Sequence, residues 1–274
     1  MLKVIKKKYA QFVYGRIVLE GAVVSVTEYL MLGAFVLVNF LINHYYGTEV
    51  VGVYAISYAI AQIGIMGIGS VFSLLMRRDL SVGQFESNSY VARIQLLRSG
   101  NMAIVLFLAA LIITLFYPPL RSSLLFILLM IGAKGLDALS ETYYTAYQTL
   151  ARLGDYSFFK SLHAISFIAV SVFVCLRQLE IEYLYISQLA CSAGILGINY
   201  FRWQTTKGEQ AGEKSAESVG YRFLLIESYP LMVSAMIFQL GLRANNLLIF
   251  DKLGEKELGM FSLVVITVGI FAGA

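Results

Sequence analysis

Five side chains capable of chemistry crowd one apolar stretch of this 274-residue chain: Lys134, Asp137, Glu141, Tyr144 and Gln148. Their steps of three and four put all five on one face of a helix. A charge at the centre of a membrane helix costs about 2.5–3.5 kcal/mol, so such a face calls for a specific explanation. One reading is a Lys134–Asp137 pair that neutralises itself and joins two helices. The other is a water-filled vestibule turned toward the axis of a bundle, with Lys134, Asp137 and Glu141 on its wall. Lys134 lies roughly 21 Å from the outer end of its run at about 1.5 Å per residue, too deep to reach that surface easily.

Charged and polar residues punctuate other apolar runs. Glu28 lies near the middle of the first run. At about 100° per residue, Asn39 falls within about 20° of it and Asn43 within about 60°, one polar stripe. The stripe suits either interhelical hydrogen bonding or a cavity wall. Lys160 and His163 stand near a cytoplasmic end, where Lys160 is expected to snorkel to the interface and His163 to act as a packing donor. Glu227, Pro230 and Arg243 share one run. Glu227 and Arg243 point about 160° apart and do not pair with each other. Pro230 is expected to kink that helix and serve as a moving part. Arg243 either snorkels or faces a cavity.

The elements that must hold these residues follow from composition. Mean hydropathy is +0.73, only 14% of residues are charged, and there are 3 prolines. So little charge does not cover a soluble surface, and apolar runs of about 20 residues recur, each long enough to span a bilayer as a helix. The fold class is an all-α polytopic membrane protein, with spans expected at about 17–43, 50–76, 99–117, 120–149, 156–176, 183–203, 222–250 and 255–274. Lys3, Lys6, Lys7, Lys8 and Arg16 precede the first span, and Arg77, Arg78, Arg93, Arg98, Arg152, Arg202, Lys207, Lys214 and Arg222 fall in alternate loops. The opposite loops hold Arg121, Arg177, Lys252 and Lys256. This alternation places the N-terminus in the cytoplasm. The stretch 85–98 is too polar to span and is expected along the cytoplasmic interface. The net charge of +4 sits in loops and does not point to nucleic acid. Cys175 and Cys191 have no metal-ligand or redox spacing. There is no nucleophile elbow, zinc motif or P-loop, so neither an enzyme nor a cofactor is expected.

The chain also writes one passage twice, 207 positions apart. Asn39, Gly47, Gly52 and Tyr54 fall on Asn246, Gly254, Gly259 and Phe261, and Glu20 falls on Glu227. Internal repeats of this kind build many transporters, with the substrate path between the halves, which makes Glu20, Glu227 and Pro230 candidate hinge or coupling positions. The expected domains are a six-helix bundle over 1–204, a cytoplasmic linker over 205–220 and the start of a second bundle over 221–274. The last residues lie inside an apolar run, so about four further helices are expected of a complete second copy.

The pattern Gly47-x-x-x-x-Gly52-Val53-Tyr54, a Gly-rich helix with Gly64, Gly67 and Gly69, then Arg77-Arg78, resembles polysaccharide and O-antigen flippases of the multidrug/oligosaccharidyl-lipid/polysaccharide exporter superfamily. The copy from Gly254 to Phe261 resembles the same family's second-half junction. The resemblance implies a MATE-like flippase fold: two six-helix bundles in a V around a central cavity, here one complete bundle plus the first two helices of a second. It implies that undecaprenyl-diphosphate-linked oligosaccharide moves from the cytoplasmic to the periplasmic leaflet of the bacterial inner membrane by alternating access. The implied partners are the lipid-linked oligosaccharide, the bilayer and the polysaccharide polymerase machinery. Cavity candidates are Glu28, Asn39, Lys134, Asp137, Glu141 and Arg243, with Lys134 and Arg243 expected to meet the diphosphate. The chain departs from the family at Asn245-Asn246, where members often carry an acidic residue. Three alternatives stand beside this reading. A cation-coupled multidrug exporter of the same superfamily would need an aromatic and acidic cavity, which Glu28, Asp137 and Glu141 suit. An integral-membrane polysaccharide polymerase or ligase would need a large outer loop, and the outer loops here are short. An assembly subunit without transport activity is the third.

Overall fold

The structure, a computed structural model, describes residues 2–82, 85–206 and 219–272, with side chains described for all of these except 2–20, 66–68 and 269–272. Helix α1 (Leu2–Tyr46) is followed by α2 (Thr48–Ala61), a π turn (Gln62–Met66) and α3 (Gly67–Ser81). Then come α4 (Ser87–Phe116), a 3-10 turn (Pro118–Leu120), α5 (Leu124–Thr149), α6 (Leu153–Leu176), α7 (Ile181–Thr206), α8 (Tyr221–Leu253) and α9 (Glu255–Ala272). The described chain is helical almost throughout. Six helical stretches are long and apolar enough to cross a membrane: Gly21–Tyr46, Thr48–Ile65, Ser87–Phe116, Leu153–Leu176, Ile181–Thr206 and Tyr221–Leu253. The chain therefore has the make-up of a multi-pass membrane protein. Helices α5 and α9 carry Lys134, Asp137 and Glu141, and Glu255, Lys256 and Glu257, which lowers their apolarity. Large apolar side chains point outward along α4, among them Ile104, Phe107, Ile112, Leu115 and Phe116. That outward apolar face suits lipid, not water.

Helix α5 sits at the centre, packed on α2, α4 and α7. Two apolar clusters hold the bundle. One gathers Val51, Tyr54, Ile127, Met130 and Tyr185, and the other Phe72, Tyr90, Tyr147, Tyr156 and Trp203. The polar face of α5 runs between them.

The two copies of the repeated corner share one backbone shape. Gly47 has φ 88° and ψ 171°, and Gly254 has φ 91° and ψ −174°. Positive φ of this kind is glycine's territory. Helices α2 and α9, which follow the two corners, cross in direct backbone contact. A Cβ on Gly52 would stand 1.9 Å from the Glu255 carbonyl oxygen, and one on Gly259 would stand 1.9 Å from that of Thr48. Thr48 and Glu255 are themselves 207 positions apart, so the two contacts exchange under the repeat. A twofold relation between the copies produces that reciprocity.

One expectation is corrected. The stretch 85–98 is not a separate interfacial helix, because α4 runs unbroken from Ser87 to Phe116. Its residues Tyr90, Val91, Ile94 and Arg98 are buried against the bundle, and that burial outweighs the polarity of the segment. Pro230 lies inside α8, which continues through it from Tyr221 to Leu253. Most of the expected linker, 207–218, and the side chain of Glu20 lie outside the described residues.

Candidate functional site

Helix α5 presents Lys134, Asp137, Glu141 and Tyr144 to a cavity of about 660 Å³. Seven further elements complete its wall, with Glu28 from α1, Tyr58 from α2, Gln62 from the π turn, Arg77 from α3, Arg98 from α4, Lys160 and His163 from α6, and Gln188 from α7. The volume lies within the range of about 300–1,000 Å³ common for ligand pockets. Phe35 and Phe167 add aromatic faces to the lining.

The charges on this wall are arranged in two pairs. Lys134 Nζ donates to Asp137 Oδ2 at 2.8 Å. The other oxygen, Asp137 Oδ1, accepts from Ser192 Oγ at 2.5 Å and lies 3.4 Å from His163 Nε2. The second pair joins helices: Lys160 Nζ reaches Glu28 Oε1 at 2.5 Å and stands 4.0 Å from Glu141 Oε2. Tyr156 also donates its hydroxyl to Glu28. A buried charge is tolerated when a partner and further hydrogen bonds surround it, as they do Lys134 and Asp137; in the second pair Lys160 is largely buried and Glu28 half exposed. Aromatic rings add to this. Lys160 lies 5.3 Å from the Tyr156 ring centroid and 5.9 Å from that of Tyr144.

Arg98 differs in kind. It is 3% exposed, with its guanidinium held by protein oxygens. Nη1 donates to the Ala138 carbonyl at 2.5 Å and Thr142 Oγ1 at 2.7 Å, while Nη2 donates to the Gly69 carbonyl at 2.5 Å and Ser73 Oγ at 2.7 Å. This fork ties α3, α4 and α5 together. Arg77 is exposed, and its Nη2 donates to Gln148 Oε1 at 3.1 Å.

Of the residues expected at a cavity, Glu28, Lys134, Asp137 and Glu141 line this one. Asn39 does not: it is 1% exposed, and its Nδ2 donates to the Phe35 carbonyl of its own helix at 2.8 Å. Arg243 is not on the lining either, but its guanidinium lies 5.5 Å from the Tyr58 ring centroid. The same ring has Lys134 Nζ at 5.5 Å, so Tyr58 links Arg243 on α8 to the cavity wall. Glu227 accepts from Arg78 Nη1 at 3.2 Å, joining α8 to α3. Lys160 is a correction, since it does not snorkel. Its ammonium is largely buried and pairs with Glu28 from another helix, which is itself half exposed.

Arg77, Lys160, His163, Tyr156, Tyr58 and Arg98 are among the site residues that sequence reasoning left out. A signal existed for most of them. Tyr156, Lys160, His163 and Phe167 follow steps of four, three and four, one helical face. Arg98 falls seven positions after Val91 and four after Ile94, on the helical face those two apolar residues share. No cluster of three or more metal-ligating side chains occurs among the described residues.

Comparison with known proteins adds fold information. No family model matches the sequence, and no curated protein matches it. A solved structure named "protein A" is similar, with a TM-score of 0.68 at 16% sequence identity, covering 92% of this chain and 60% of that one. The chain thus spans 60% of the length of the solved chain it matches. At that identity the likeness is one of fold alone.

Proposed function

We propose that this protein is a membrane transporter that flips an undecaprenyl-diphosphate-linked oligosaccharide from the cytoplasmic to the periplasmic leaflet of a bacterial inner membrane by alternating access. The observation that carries the reading is the cavity: a space of about 660 Å³ with charged side chains set among apolar ones, inside a bundle whose outer surface is apolar. A lipid-linked sugar needs such a space for its head while its tail stays in the bilayer. Arg77 and Lys134, with Arg243 behind Tyr58, are the cations the diphosphate would meet. Two bundles rocking against each other about the α2–α9 crossing would supply the alternation. No step calls for a catalytic group or a cofactor.

The test is complementation of a strain that accumulates lipid-linked oligosaccharide for want of its flippase. The expected result is restored surface polysaccharide, reduced at least about tenfold by Lys134→Ala with Arg77→Ala, the loss expected from removing two charge-assisted contacts. Unrestored polysaccharide from a well-expressed protein would refute the reading.

A second reading is a cation-coupled exporter of lipophilic drugs. The carboxylates Glu28, Asp137 and Glu141 beside Phe35, Tyr58 and Phe167 favour it. It predicts resistance to aromatic cations in cells that express the protein, with no effect on surface polysaccharide.

A further inference from the structure

Resting on the flippase reading, we propose that the glycan carried in this cavity is uncharged, so that the diphosphate is the anionic part of the substrate that the protein recognises. The described lining holds four cationic side chains, Arg77, Arg98, Lys134 and Lys160, against three carboxylates. Two of the cations are already matched at hydrogen-bond distance, Lys134 by Asp137 and Lys160 by Glu28. A third, Arg98, has its fork filled by two carbonyls and two hydroxyls. That leaves Arg77, exposed and bonded to the neutral Gln148 amide, as the described lining cation most open to an incoming anion. Glu141 lies 4.0 Å from an ammonium that is closer to Glu28, so its carboxyl has no lining cation at hydrogen-bond distance to itself.

A uronic or otherwise acidic sugar in this space would face Glu28, Asp137 and Glu141. With Arg77 engaged by the diphosphate, it would gain a further cation only by breaking a pair already made, and like charges set together discriminate strongly. A neutral sugar meets none of that. The Gln62 and Gln188 amides and the Ser73 hydroxyl on the wall offer hydrogen bonds to sugar hydroxyls, and Phe35, Tyr58 and Phe167 offer apolar faces.

The experiment measures binding to the full-length protein in lipid nanodiscs. Three short-chain prenyl diphosphates are compared: one with a neutral trisaccharide, one with the same trisaccharide containing a hexuronic acid, and one with no sugar. The neutral compound is expected to bind about tenfold more tightly than the acidic one. Glu141→Gln is expected to narrow the gap severalfold by improving binding of the acidic compound. Equal or tighter binding of the acidic compound overturns the proposal and leaves the flippase reading standing. If neither glycolipid binds better than the sugar-free prenyl diphosphate, the flippase reading falls as well.

Discussion

Arg98 shows how much one side chain can decide. Its four donated hydrogen bonds satisfy two carbonyls and two hydroxyls in an environment almost closed to solvent. Hydrogen bonds that involve a charged group contribute about 1.5–3 kcal/mol each, and losing the donor leaves buried oxygens unpaired. Arg98→Ala is therefore expected to lower stability by roughly 3–5 kcal/mol, read as a fall in the thermal midpoint of the detergent-solubilised protein. Arg98→Lys should recover only part of the loss, because an ammonium lacks the planar fork. A variant as stable as the parent would mean that the fork is not the tie between α3, α4 and α5. Ala151 makes the opposite case. It sits at φ 55° just past α5, where the Arg152 amide closes back onto the Tyr147 carbonyl at 2.7 Å. A left-handed conformation costs a non-glycine residue about 1–2 kcal/mol. Ala151→Gly should raise the thermal midpoint, and an unchanged or lower midpoint would count against strain at this turn.

At the scale of elements, the α2–α9 crossing carries the clearest consequence. Gly52 and Gly259 are each pressed against a carbonyl of the other helix at a distance no Cβ tolerates. Backbone cannot yield as a side-chain tip can, so Gly52→Ala or Gly259→Ala must push the helices apart. Overpacking of this sort costs about 1–3 kcal/mol. The double variant should cost less than the sum of the single ones, because once the helices have separated the second methyl meets an open gap. Strict additivity would show that the two contacts are independent. If the crossing holds the outer ends of the two halves together, either variant should also increase the reactivity of a cysteine placed at Thr48 toward a thiol reagent.

At the scale of the whole molecule, the described residues form a bundle with an apolar exterior and a charge-bearing cavity, and the loops at its two ends differ in how many lysines and arginines they carry. That asymmetry sets a topology that can be measured. In a background where Cys175 and Cys191 are replaced by alanine, Ser122→Cys between α4 and α5 should react with a membrane-impermeant thiol reagent on intact spheroplasts. Gly154→Cys, at the start of α6, should react only after permeabilisation. The reverse pattern would invert the orientation that the Lys and Arg distribution implies. Both positions are exposed, so a failure to label reports the wrong side of the membrane and not burial.

Much of this could be read from the sequence because it is local or periodic. Helical class follows from run length and apolarity. The shared face of Lys134, Asp137, Glu141 and Tyr144 follows from steps of three and four, and the twin glycine corners from direct repetition at 207 positions. Periodicity states which residues share a face but not what that face meets. Lys160 reads as a snorkelling lysine until Glu28, 132 positions earlier, arrives beside it. Arg98 reads as a flanking charge until carbonyls of two other helices close on it. Asn39 lies on the stripe of Glu28 yet turns to its own backbone, because the cavity ends short of it. Partners for buried charges are set by helix packing, and the side chains that meet there come from distant parts of the chain. Only the tertiary structure could decide them.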